Sequence, residues 1–586
     1  MSVILLKRRR EIFFLTSVFF CVCTWVGSFR STFSYDEPAR RKPIIAFIHW
    51  IQQKKSSEEM AVDERTKLIS DRDSHRTVKG TENTFGNDDD DHVLRQRTPP
   101  RGGGTHLSKA FSIEANMKSI FRRGEVARGD GSFDALDGLR ALAFFWVVLF
   151  HCQLWAISMR GIGPILQPLA AVGDSGVTLF LVLSGFLLAH IMLKELESAT
   201  VTDMDVKTGP MHILRCYGSF MWRRFARIYP SLIGVVFLVQ GFTSVVHGYA
   251  FDAACGSPRE TPLPGIFKPL GLKAGGIWLP VLRNVLLVNN LYATDDGSDV
   301  CPYCPATCAP WTVSVEFQFY LALPFVVTLY WFNRGAGLVL AVAIYATSLG
   351  FREGEWMWSF QYLICEYVAG AIAYLVVGKW GLNWISSFGK GARDLVYLHI
   401  AQVFWLVVTI CFFALMYMDM RYIDSTGTIV DYDTLPTNPI PRHTSHMAGP
   451  PPYIVEGDRF KTFGRPILAL STATLIAICC AVSSDGFIRQ HNRDILSKPF
   501  QAMCAALSSP VLYPMASVSY TSYLGQGLVM NLVRFMPYSP ELAGNGDRWW
   551  VFILVLVADL LFGLVLSLTL ERPVMKLLNV VRPKWV

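Results

Sequence analysis

The chain has 586 residues, of which 52% are hydrophobic and only 17% charged, with a formal net charge of +8. That balance is too apolar for a water-soluble protein of this length, so its core has to be covered by lipid. The excess of Lys and Arg is a topology signal and not the footprint of a nucleic-acid partner, because it sits in particular loops.

At the start of the chain, KRRR at 7–10 precedes the apolar stretch IFFLTSVFFCVCTWVG, and residues 1–29 read as a signal peptide or signal anchor. Residues 30–133 hold KKSSEEM, DRDSHR, the acidic run Asp88 to Asp91 and RTPPRGGG. With little apolar periodicity, they read as a disordered polar linker. From 134 to 586 the apolar residues come in blocks of about 17 to 25, the length that carries a helix at 1.5 Å per residue through roughly 30 Å of hydrocarbon. Spans are expected at about 135–157, 170–193, 225–248, 312–332, 335–351, 357–378, 394–418, 464–482, 511–535 and 549–570. Such continuous blocks satisfy their backbone as helices rather than as barrel strands. The expected fold class is an all-α, polytopic membrane helix bundle with about ten transmembrane helices.

Lys and Arg set the orientation. Lys194, Lys207, Arg215, Arg223, Arg224 and Arg227 precede the third span, Lys379, Lys390 and Arg393 the seventh, and Arg489, Arg493 and Lys498 the ninth; Arg572, Lys576, Arg582 and Lys584 follow the tenth. These segments share one side, the cytosol. An uncleaved N-terminal anchor with KRRR inside would instead put residue 134 outside, and the ten-span orientation is preferred because it rests on several loops. Cys255, Cys301, Cys304 and Cys308 fall on the opposite side, in a loop at about 249–310. Their spacing could hold zinc, but no His lies nearby and the side is oxidising, so disulfides of undetermined pairing are preferred.

Ionisable residues inside spans are costly and are read one by one. In FDALDGLRALAFFWVVLFHC, Arg140 and His151 are eleven residues apart, which returns to within about 20° on one helix face and separates them by about 16 Å along the axis. A neutral imidazole at depth can take a proton from a hydroxyl, and a guanidinium at the cytosolic mouth can hold phosphates bidentately. The alternative is that His151 bonds a neighbouring helix and Arg140 snorkels beside Asp137. Asp174 lies near the outer end of the second span, with Ser184 and Gly185 deeper, where small residues suit close helix packing. MWRRFARIYP brings Arg223, Arg224 and Arg227 to the edge of the third span, and Glu316 and Tyr320 lie one turn apart on the fourth. A carboxylate entering the membrane needs a partner.

Taken together, these segments resemble the acyltransferase-3 family of integral-membrane acyltransferases, in a eukaryotic-type branch. LDGLRALAFFWVVLFH is similar to the family's first span, whose Arg and His have ten residues between them as Arg140 and His151 do here, and GVTLFLVLSGFLL to its second. RRFARIYP resembles the third-span entry, PWTVSVEFQFYLALP the Trp-Ser-x-x-x-Glu-x-x-Phe-Tyr element, ASVSYTSYLGQ the late Ser-Tyr-x-x-Tyr-Leu motif and LERPVMK the closing Glu-x-Pro. Gln526 stands where the family often has a His.

The resemblance implies ten spans, a cytosolic acyl-CoA donor and an acceptor hydroxyl at the outer face. On that basis the chain is expected to transfer an acyl group, most simply acetyl, to a carbohydrate or lipid acceptor in an endomembrane or the plasma membrane, without a metal. His151, Glu316 and Asp174 are the expected catalytic residues, His151 as general base with the two carboxylates shaping the acceptor side. Arg140, Arg223, Arg224 and Arg227 are expected to bind the donor. A transporter, disfavoured by the lack of an inverted repeat, and a non-catalytic membrane scaffold are the rival readings.

Overall fold

The computed structural model describes residues 110–121, 133–154, 169–170, 172–198, 210–245, 278–288, 290, 310–350, 360–387, 392–423, 429–430, 453–456, 459–482, 494–534 and 549–580. The N-terminal apolar segment, most of the linker and the four loop cysteines lie outside the described residues. Helices α1 (Ile113–Phe121), α2 (Asp134–Leu154), α3 (Ser175–Ser198), α4 (Pro210–Val245) and α5 (Trp278–Val285) are followed by α6 (Pro310–Phe332), α7 (Arg334–Gly350), α8 (Phe360–Ser387) and α9 (Ala392–Met418). A small sheet then leads to α10 (Arg465–Val482), α11 (Lys498–Leu507), α12 (Leu512–Arg534), α13 (Trp549–Leu566) and α14 (Arg572–Val580).

Each of the ten segments read as a span contains a helix, so the bundle is helical as its apolar blocks require. Among the described residues six helices are long and apolar enough to cross a membrane, and α11 with α12, bent by 58° between them, makes a seventh if the pair is one span. The expected count of ten is therefore not reached on length and composition. Of the other three, α7 has 17 residues and falls just short of a full span, whereas α4 and α8 run to 36 and 28 residues. Beyond the helices, β1 (Met420–Ile423), β2 (Ile429–Val430) and β3 (Tyr453–Glu456) form an antiparallel sheet in the order β2-β1-β3, with Tyr422 opposite Val430 and Ile454. The Asp419 carboxylate at the end of α9 accepts from the Phe460 backbone N–H at 2.7 Å and joins this sheet region to the π-helical turn Phe460–Gly464 that opens α10.

Close packing of α3 and α8 sets the centre of the bundle. A methyl at Gly185 would overlap the Tyr367 carbonyl, and one at Gly370 the Val182 carbonyl, so only glycine permits this crossing on both sides. Phe319 of α6 stacks on Tyr367 of α8 at 4.2 Å between centroids and locks α6 against the same pair. At the other end of the chain, α13 lies along α12, where Gly563 leaves no room for a side chain beside Ser522.

Within the segment read as linker, α1 is an ordered helix. Its Asn116 is buried, gives Nδ2 to the Ala110 carbonyl at 3.1 Å and accepts from Lys576 Nζ at 2.6 Å. Arg572 donates to Ser119 of α1 and, at 2.6 Å, to Ser517 of α12. The helix before the bundle is thereby fastened to the helix after it.

Candidate active site

Glu316 lies two turns into α6 and finds its partners at once. Tyr320, one turn further along the same helix, donates its hydroxyl to Glu316 Oε1 at 2.6 Å, and Ser184 from α3 donates to the same oxygen at 2.9 Å. Ser184, read from the sequence as a packing residue, thus has a polar role, whereas its neighbour Gly185 does the packing. A carboxylate accepting two short hydrogen bonds is held in one orientation.

Beside this carboxylate is a cavity of about 110 Å³. Arg140 of α2, Arg224 and Arg227 of α4, Ser184 of α3 and Thr312, Glu316 and Tyr320 of α6 line it, together with Ser519, Tyr520 and Tyr523 of α12. Arg224 and Arg227 are three residues apart and so share a helix face. The Arg224 guanidinium carbon sits 5.7 Å from the Phe220 ring centroid and 5.9 Å from that of Tyr320, so two aromatic faces hold the cation in place. Arg140 is tied only loosely, its Nη1 3.9 Å from Asp137 Oδ1. Arg223 turns about 100° away from Arg224. It pairs with Glu195 and donates to Ser219 Oγ at 3.1 Å, while Ser219 donates to Glu195 at 2.9 Å. Of the four arginines singled out in the sequence, three therefore meet at the cavity and one is engaged outside it.

The other two expected catalytic residues stand apart from the cavity lining. Asp174 forms an ion pair with Arg465, the first residue of α10, which is buried and has the Tyr362 ring centroid 5.9 Å from its guanidinium carbon. His151 is in the last turn of α2, with Nδ1 2.7 Å from Gln526 Oε1. Gln526 continues a face of α12: Ser519, Tyr520 and Tyr523 line the cavity, and Gln526 lies one turn beyond Tyr523. The histidine is thus joined to the cavity wall through a shared helix.

A cationic, carboxylate-bearing cavity thus lies inside a bundle of apolar helices. The chain belongs to the acyltransferase-3 family: the family model described as "Acyltransferase domain" matches residues 133–568. It is an integral, multi-pass membrane protein. Over 225 residues it is 25% identical to "Peptidoglycan O-acetyltransferase OatA" of Listeria monocytogenes serovar 1/2a, a stretch covering 38% of this chain and 28% of that protein. Over 191 residues it is 28% identical to "Acyltransferase MdmB" of Streptomyces mycarofaciens, covering 32% of this chain and 38% of that one. The matched stretches are thus well under half of either relative. No solved structure matches the chain.

Proposed function

We propose that the protein transfers an acyl group, most simply acetyl, from cytosolic acyl-CoA to a hydroxyl of an extracytoplasmic or lumenal glycan or lipid. The observation that carries this reading is the meeting of Arg140, Arg224 and Arg227 from two helices at one cavity, beside a carboxylate held by Ser184 and Tyr320. Three guanidinium groups suit the phosphates of a CoA donor. Membership of an acyltransferase family supports the reaction class, and a relative named as a peptidoglycan O-acetyltransferase supports a carbohydrate hydroxyl as acceptor.

In this mechanism His151 takes the proton of the acceptor hydroxyl. The hydroxyl oxygen bonds to the acyl carbon, the carbon–sulfur bond breaks, and the departing CoA thiolate receives the proton. A thioester is already reactive, so positioning and one base are sufficient. The axial separation of about 16 Å between Arg140 and His151 lets an extended donor keep its phosphates at the mouth while its acyl end reaches depth. Glu316 orients the donor beside these arginines, Asp174 with Arg465 shapes the outer end of the site, and Arg223 braces the mouth through Glu195.

The test is a transfer assay on detergent-purified full-length protein, with labelled acetyl-CoA and a panel of glycan and lipid acceptors. Wild-type protein should yield labelled ester, and folded His151→Gln protein should lose about 10² to 10⁴ in rate. Near wild-type transfer by His151→Gln would remove this histidine as the base. Absence of any transfer or CoA release by wild-type protein would favour a transporter or scaffold.

A further inference from the structure

Asp559 is a fully buried carboxylate in the middle of the apolar helix α13, and the chemistry above makes no use of it. An acidic side chain at such a position is unfavourable in a membrane and marks function. Its surroundings follow from helix register. Helices α12 and α13 run antiparallel and touch where Gly563 faces Ser522, and Thr521 Oγ1 donates to the Gly563 carbonyl at 2.9 Å. Four residues onward from Ser522 is Gln526, and four residues back from Gly563 is Asp559, so one turn along the contact these two side chains face each other.

Gln526 is also buried, and its Oε1 is 2.7 Å from His151 Nδ1. Its Nε2 and both Asp559 oxygens are buried and make no hydrogen bond among the described residues, so the facing amide and carboxyl are available to each other. The three groups form a line: carboxylate, amide, imidazole.

We propose that Asp559, acting through Gln526, fixes the tautomer and orientation of His151, so that both are positioning residues for proton transfer at this ring. The proposal rests on the reading of His151 as general base. When ionised, Asp559 can only accept, and it then draws the amide nitrogen of Gln526 toward itself. The amide oxygen then faces His151 and can only accept, so the neutral ring must carry its proton on Nδ1. Nε2 is left bare, as a base requires. No proton travels along the line; the acceptor proton is taken at Nε2. Gln526 thus gives a physical meaning to the one motif position where this chain lacks the histidine common in its family.

The tautomer can be read directly. In full-length protein labelled with [15N]histidine, the difference between wild type and His151→Gln isolates the His151 nitrogens. The expected spectrum is a neutral ring with a protonated Nδ1 and a bare Nε2. Asp559→Asn offers both a donor and an acceptor, which lets the Gln526 amide turn over, so the Nδ1–H population should fall. The kcat should drop by about 10²-fold, with the KM for acetyl-CoA unchanged. Asp559→Glu should restore the tautomer and most of the rate, and Asp559→Asn should cost nothing further in a Gln526→Leu background. If Asp559→Asn does not insert, Gln526→Leu and Asp559→Glu give the same readouts. An unchanged His151 spectrum in Asp559→Asn, or fully additive losses in the double variant, would overturn the proposal. Should His151→Gln remain active, the general-base reading fails on its own, and the spectrum of the resting protein still decides whether Asp559 governs the ring.

Discussion

Tyr320 donates its hydroxyl to Glu316 one helical turn away at 2.6 Å, and both line the cavity that Arg140, Arg224 and Arg227 also face. If this carboxylate orients the donor, losing one of its two holding bonds should matter less than losing its charge. A hydrogen bond to a charged group is worth about 1.5–3 kcal/mol, so Tyr320→Phe should lower kcat/KM roughly 10- to 100-fold. Glu316→Gln should lower it more. Steady-state acetyl transfer by both variants is the measurement, and a Glu316→Gln protein with unchanged kcat/KM would move the reaction out of this cavity.

The arginines should separate by their surroundings. Arg224→Ala and Arg227→Ala remove cavity cations and should raise the KM for acetyl-CoA with a smaller change in kcat. Arg223→Ala, whose guanidinium is taken up by Glu195 and Ser219, should raise it less. Arg140→Lys keeps the charge but loses the bidentate fork and should weaken donor binding too. Equal KM effects at positions 223 and 224 would contradict this division.

Asp174 and Arg465 are expected to matter for stability first. Removing one member of a buried pair leaves an uncompensated charge and costs about 3–5 kcal/mol. Asp174→Ala or Arg465→Ala should therefore lower the apparent melting temperature of the purified protein strongly. Replacing both together by apolar residues should recover much of the loss. Thermal unfolding of the three variants decides the matter, and independent, additive losses would mean that the pair is not coupled.

The loop holding Cys255, Cys301, Cys304 and Cys308 is expected to face the lumen or exterior and to contain disulfides, because it lies opposite the arginine-rich segments. A non-permeant thiol reagent applied to intact cells displaying the protein at their surface should label these cysteines only after reduction. Labelling that instead needs permeabilisation would put the loop in the cytosol.

The helices were legible because apolar runs of membrane length leave the backbone few alternatives. Their count was not, since α4 begins among arginines and α7, at 17 residues, falls just short of a span. The sheet escaped because β1, β2 and β3 are four, two and four residues long, too short for alternation to stand out. At the site, Glu316 with Tyr320 could be read from one helical turn, but Asp174 and Arg465 are 291 positions apart and His151 and Gln526 are 375 apart. Pairings at that range are properties of the fold. Asp559 is different: a lone carboxylate in VFILVLVADLLFGLVL stands out on inspection, but counting spans by their apolarity passes over it.

The fastening of α1 to α14 carries a parity rule. Lys576 on Asn116 and Arg572 on Ser119 hold the start and the end of the bundle together, the arrangement that an even number of crossings between them would produce. Seven crossings would leave the two helices on opposite sides of the bilayer. Among the described helices, with the bent α11–α12 pair counted once, an even total is reached if one of α4, α7 and α8, or all three, also traverse. Ten is the total if all three do, with α7, at 17 residues, the shortest of the spans.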